Sequence, residues 1–487
     1  MNSLAKNTAF YFITSLAAQG MIFLLWIILA WYLNPSQIGV YSLAMFVVEL
    51  FGIVSLFGLA PALARFYYAD NNGESNAVRV FANSFLIFLI SSLLSLLLFI
   101  ACINLISFLI PDIAEVLKNN IVLLAGLIVA NSAVELILSN YTALKKAVVF
   151  SKFHLARIIL FFVLSLAFIS FEKSIVSIFL AFFVSSLAVI VYFFLKEKKL
   201  ISFKTIDKNL ILQIASYGFP LMLYGFLGIV VLYFSRIILS WHVDLHSLGI
   251  YSFFLTIVLQ INGLWNTFNR AWTPEIFHSI SKDKDKAVEQ TAFMVFFSSF
   301  IYLLAIFFIM AAGELFLFKM IFKDIYFLNR MILYILLIGP VFTGIYISIY
   351  PLCYYRKKSS KILAVSTFVS VLNILLVVLL VSAFSVLGAA LSYLAASALT
   401  ALVYVLAFKK DAGIPSRVIF WTVFLSLFLS AGTLLFVATE AVWLFLPIIL
   451  LGCVISFKAG RISEKKTLLL DIFKELKLKI KNGAIKN

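Results

Sequence analysis

The chain is 487 residues long, 64% hydrophobic and only 12% charged, with a mean hydropathy of +1.12. Ordinary soluble domains are about a quarter charged, so a soluble globular fold is excluded. The net charge of +17 sits mostly in the loops between apolar runs. It therefore reads as a membrane-orientation signal and not as a nucleic-acid surface.

The first apolar stretch, from about Thr8 to Tyr32, is too long for a signal-peptide core and no small-residue cleavage site follows it. It is expected to be an uncleaved first span. Further helices are predicted near 40–63, 81–105, 121–143, 158–171 and 174–195. A second series follows near 211–239, 249–269, 291–316, 331–353, 362–384 and 389–408, with a last pair near 418–437 and 441–457. Runs of about 20 apolar residues cross a bilayer core of about 30 Å. In lipid each must satisfy its backbone internally, so each is a helix. The expectation is an all-α polytopic membrane protein of about 14 transmembrane helices.

Alternate loops are rich in Lys and Arg. Arg65, Arg79, Lys145, Lys146, Lys196, Lys282, Arg356 and Lys409 fall in one set, while the other holds little beyond Lys118, Lys173, Lys319, Lys323 and Arg330. The basic set is cytoplasmic, which places both termini inside. The tail RISEKKTLLLDIFKELKLKIKNG gathers Leu469, Ile472, Phe473, Leu476 and Ile480 on one face among lysines, the pattern of a helix lying on the inner leaflet. Cys102, Cys353 and Cys453 have no metal or disulfide spacing. No nucleotide-binding motif is present, and no catalytic constellation or cofactor site is expected.

One passage occurs twice. Residues 27–42 read IILAWYLNPSQIGVYS and residues 237–252 read IILSWHVDLHSLGIYS, an offset of 210 that aligns Trp31 with Trp241, Gly39 with Gly249 and Ser42 with Ser252. A repeat of this size predicts two related bundles facing across an interface, where membrane transporters place their substrate. Both copies start from the same side, so the repeat is parallel. The expected organisation is a six-helix bundle over 1–200, a second over 201–410, two added helices over 411–457 and the basic tail over 458–487.

Polar residues inside the spans supply the candidate site. Asn131, Glu135, Ser139 and Thr142 share one helical face, as do Asn262, Asn266, Asn269 and Arg270, and Thr8, Ser15 and Gln19 form a third stripe. Each must face a partner helix or a watery cavity; interhelical hydrogen bonding is the plainer alternative. Glu49 and Glu135 are the acids deep within spans and are candidates for ion coupling, or else structural, paired acids. Arg65, Arg236 and Arg270 are candidates for an anionic substrate, because guanidinium forks fit phosphate oxygens. Arg157 starts the predicted 158–171 segment, and inner-end arginines also serve as anchors that snorkel. Gly218 and Pro220 mark a place for 211–239 to bend.

The segment LNPSQIGVYSLAMFVVELFGIVSLFGLAPALARFYY resembles the signature of polysaccharide-biosynthesis flippases of the Wzx type. These belong to the multidrug/oligosaccharidyl-lipid/polysaccharide exporter superfamily. YGFPLMLYG, FSRIILSW, GIYSFF, NRAWTPEIF and VLNILLVVLLVSAFSVLGAAL resemble later blocks of the same family. The resemblance runs from about Lys6 to Lys410. It implies a V-shaped central cavity and a non-enzymatic flippase that moves an undecaprenyl-pyrophosphate-linked oligosaccharide across the inner membrane by alternating access. Arg65, Arg236 and Arg270 would meet the pyrophosphate, with Gln19, Asn262 and Asn266 in the sugar cavity. H+ or Na+ would be the coupling ion, and a polysaccharide polymerase and chain-length regulator would be partners beside the membrane lipids. Where many relatives carry an acid before the arginine of 211–239, this chain has Ser235. The rival readings are a peptidoglycan-precursor lipid flippase, a cation-coupled multidrug antiporter and, as an enzyme, a membrane-embedded polysaccharide polymerase.

Overall fold

The structure is a computed structural model describing residues 3–67, 73–197, 206–282, 284–312, 324–355, 359–412, 414–439, 446–452 and 454–456. The described residues are almost entirely helical. Twelve helices are long and apolar enough to cross a membrane, and a shorter apolar helix spans Leu446–Ser456. One of the twelve, Ala364–Lys410, is two spans in one: Ser359–Ala412 is interrupted by non-helical Ser385 at φ 51°, ψ −125°. A Cβ on Gly388 would overlap the Leu380 carbonyl, while Lys361 Nζ donates to Ala407 O and the Ser366 and Tyr404 hydroxyls bond at 2.7 Å. Those pairings are antiparallel about Ser385, as the predicted 362–384 and 389–408 segments require. About 14 spans result, an all-α polytopic membrane protein.

Chain contacts divide the molecule into Ala9–Phe253 and a second unit that holds Phe254–Asn487. The first contains most of α1 (Ser3–Tyr32), then α2 (Pro35–Leu56), α3 (Leu59–Tyr67), α4 (Gly73–Leu109), the short α5 (Ala114–Asn119), α6 (Ile121–Ala143), α7 (Ala147–Phe171), α8 (Ile175–Lys196), α9 (Lys208–Ser240) and the opening turns of α10 (Leu245–Lys282). Two boundaries differ from expectation. The predicted 40–63 helix is α2 and α3, broken where Phe57 and Gly58 adopt φ of 51° and 69°. The predicted 158–171 helix starts at Ala147, eleven residues earlier. Lys152 and His154 made that stretch look like a loop, yet Ser151, Phe153 and Arg157 are buried in it.

Polar groups join the helices of this unit. Ser55 and Ser92 share a 2.6 Å bond between α2 and α4, reinforced by Ser91 to the Ser55 carbonyl and Ser95 to the Phe51 carbonyl. Ser132 on α6 donates to the Gly52 carbonyl at 3.0 Å, and Thr14 on α1 donates to Ser151 on α7 at 2.6 Å. Such bonds average about 0.6 kcal/mol each in membranes. They set register more than stability.

The two copies of the repeated turn meet each other. The Ser42 and Ser252 hydroxyls are 2.9 Å apart, and a Cβ on Gly39 would lie 2.7 Å from the Leu245 carbonyl and 3.2 Å from the Gly249 nitrogen. A Cβ on Gly249 would overlap the Pro35 carbonyl. Positions equivalent under the 210-residue offset therefore touch. Gly249→Ala should therefore force α2 and α10 apart at a cost of about 1–3 kcal/mol. Ser42→Ala should remove about 0.6 kcal/mol. Melting curves of the detergent-purified variants check this: equal, small shifts for both would show that the backbones do not cross so closely.

The start of α9 is clasped to α4 outside the span. Asp207 caps α9 by accepting from the Asn209 and Leu210 N–H groups, pairs with Arg79, and donates its own N–H to Asn83 Oδ1 at 2.8 Å. Arg79 and the two N–H groups hold the Asp207 carboxyl below the usual carboxylate range. A depressed acid contributes stability above its unfolded pKa of about 3.9 and loses it as pH falls through the folded value. The melting temperature of Asp207→Asn should lie below wild type from about pH 8 to 5, with the gap closing below roughly pH 4.

Candidate functional site

The end of α9 carries a buried cation. Arg236 is 2% exposed, and its guanidinium carbon lies 4.6 Å from the centre of the Tyr233 ring, one turn earlier on the same helix. The Glu49 carboxylate on α2 acts electrostatically on both Tyr233 and Arg236. Phe46, one turn before Glu49, packs on Tyr233 at 5.5 Å. Two of the guanidinium nitrogens, Nε and Nη1, are buried without a hydrogen-bond partner among the described residues. Leaving a buried cation's donors open costs free energy, so this arrangement is ready for an anion.

Ser235 takes a different role from the acid of many relatives. Its hydroxyl accepts from Tyr251 at 3.0 Å, tying α9 to α10. The carboxylate facing Arg236 comes instead from α2, 187 positions earlier. Glu49 was read as a coupling acid and Arg236 as a substrate residue; the fold brings the two together.

A second charged group lies in the same unit. Arg157, 5% exposed, donates to Asn131 Oδ1 at 2.5 Å, stands 3.5 Å from Glu135 and covers the Phe182 ring at 4.8 Å. Glu135 in turn repels Glu49 electrostatically. Of these charges, Glu135 and Arg157 form a direct ion pair. Arg157 lies inside a helix that starts at Ala147 and not at its inner end as expected, and Tyr233, which carries Arg236, is not distinguished by the sequence. The signal for Arg157 was its placement near the polar face of 121–143, which only the packing of α6 on α7 reveals.

The other candidates are dispersed. Arg65 on α3 is exposed and stacks over Tyr217 at 4.3 Å near the start of α9. Tyr217 and Arg236 are nineteen residues apart on α9, about 28 Å at 1.5 Å per residue, so Arg65 and Arg236 do not grip one phosphate here. Gln19 is half-buried on α1. Gly218 packs its backbone on Phe57 and Gly58 at the α2–α3 break, and α9 runs as one helix through exposed Pro220. In the second unit Asn262 donates to the Tyr393 hydroxyl at 2.9 Å, while its buried Oδ1 has no partner among the described residues. The side chains of Asn266 and Arg270 lie outside the described residues. Among the described residues no three His, Cys, Asp or Glu side chains group to hold a metal ion.

Comparison with solved structures defines the class. A lipid II flippase, MurJ, in an inward closed conformation superposes with a TM-score of 0.65 at 18% identity, covering 93% of this chain and 98% of that one. An inward-facing multidrug resistance MATE family transporter of the MOP superfamily gives 0.67 at 18% identity, covering 82% and 98%. This chain is a multi-pass membrane protein with the fold of that exporter superfamily. The polysaccharide biosynthesis protein family matches residues 4–280, more than half the sequence, and the chain belongs to it. No curated protein matches the chain.

Removing the ring beneath Arg236 tests the arrangement. Tyr233→Phe keeps the ring and loses only the hydroxyl, so its stability should fall by no more than about 1.5 kcal/mol. Tyr233→Ala should lose several times more. Equal losses in chemical-denaturation or thermal-melt measurements would mean that the ring is not what holds the guanidinium.

Proposed function

We propose that this protein flips a lipid-linked oligosaccharide, carried on undecaprenyl pyrophosphate, from the cytoplasmic to the outer leaflet of the inner membrane. It does so by alternating access, with both termini in the cytoplasm and two repeat bundles rocking about the polar interior. The observation that carries this reading is the match to the polysaccharide biosynthesis family over residues 4–280. The geometry agrees with it: a buried guanidinium with two open donors suits a diphosphate, since Arg binds phosphate through paired N–H groups. The polyprenyl tail needs no binding site beyond lipid, and the sugars need a wet cavity. Glu49 and Glu135 are the candidate groups for H+ or Na+ coupling, and the cargo then passes to a polymerase and its chain-length regulator.

The test is a strain deleted for this protein. Undecaprenyl-linked repeat units should accumulate on the cytoplasmic leaflet, surface glycan should vanish, and the wild-type chain should restore both. Arg236→Met keeps the volume and removes the charge. It should cut restoration at least tenfold while melting within a few degrees of wild type, because a well-packed apolar replacement of a buried charge is often neutral. A build-up of peptidoglycan precursor instead would move the assignment to a lipid II type of cargo. Altered drug sensitivity with normal glycan would make it an antiporter, and single repeat units reaching the outer face unpolymerised would make it a polymerase.

A further inference from the structure

The exposure pattern of α6 is unusual for a membrane helix. Beyond Val122 in its first turn, the exposed residues of α6 are Glu135 and Thr142, seven positions apart on one face, with half-buried Asn131 and Ser139 on the same stripe. The Glu135 side chain is 50% exposed. It lies eight residues from the end of α6, about 12 Å along the axis, and so within hydrocarbon depth. A half-exposed carboxylate there cannot face lipid, so the open face of α6 borders water. The carboxylate is not left as a bare negative charge. Arg157 reaches it from α7 at 3.5 Å, fixed by Asn131 and by the Phe182 ring.

We infer that Arg157 is the charge-balancing residue of an aqueous vestibule along α6: it cancels the field of Glu135 so that an anionic diphosphate can enter along this face. This rests on the flippase reading. Glu135 and Arg157 make a neutral pair on that face. Take away Arg157 and the Glu135 carboxylate stands unpaired on the open face of α6. An incoming phosphate then meets repulsion where it met none. The pair does not contact cargo; it positions the electrostatic balance. Arg157 is held by charge on one side and by shape on the other, and those two roles predict different genetics.

The experiment uses the full-length protein and two readouts. Purified wild type is titrated with inorganic pyrophosphate, followed by tryptophan fluorescence and by the shift in melting temperature. In parallel, variants are scored for glycan restoration in the deleted strain. Arg157→Leu should weaken pyrophosphate binding and restoration about tenfold. The double variant Arg157→Leu/Glu135→Gln, neutral again, should recover both to within about threefold of wild type. Arg157→Lys should stay close to wild type, and it folds even if the leucine variant does not. If the double variant remains as defective as Arg157→Leu while melting like wild type, or if Arg157→Leu binds pyrophosphate as wild type does, the charge-balancing role is overturned. Failure of wild type itself to restore glycan would instead count against the flippase reading, and the pyrophosphate titration would still judge Arg157.

Discussion

A polar group carried to membrane depth finds no partner in lipid, so another helix must supply one. Much of the Ala9–Phe253 unit is built around that requirement. Ser55, Ser91, Ser92 and Ser95 bind α4 to α2, Ser132 binds α6 to α2, and Thr14 binds α1 to α7. Because α2 receives bonds from both α4 and α6, it is the post around which the unit is assembled. Glu49 stands on that post.

Close backbone approach serves the same end. Where Gly39 and Gly249 cross, and where Gly218 meets the Phe57–Gly58 break, the absence of a Cβ lets main chain touch main chain. At the first of these the two copies of one turn meet at equivalent positions. Helices that approach through small residues gain dispersion contacts that lipid cannot match. The left-handed φ of Gly58 also lets α3 change direction at the point where α9 leans on it.

The charges obey a stricter economy. Arg157 is bonded to Asn131, paired with Glu135 and laid over Phe182 with its Nε left open, and Arg236 lies over Tyr233 with two donors open. Arg65, in contact with solvent and stacked on Tyr217, needs no such arrangement. Three arginines that look alike in sequence thus occupy three physical situations: paired with a carboxylate, buried over a ring, and exposed to solvent.

Much of the fold was legible in the chain itself. Apolar runs longer than a bilayer is thick leave a helix no alternative, so the spans follow from composition and length. The repeat follows from residue identity at a fixed offset, and the polar stripe of α6 from a period of 3.6. The break at Ser385 fell between two predicted helices for the same reason. Tertiary structure decided what those rules cannot reach. The stretch from Ala147 to Arg157 looked hydrated because Lys152, His154 and Arg157 are polar, and became helix because α6 and α8 cover it. That Glu49 faces Arg236, and that Arg65 does not share its ligand, depends on which helix faces pack. Periodicity determines which residues share a face. The neighbour opposite that face is set by contacts far apart in the chain, where sequence carries no local signal.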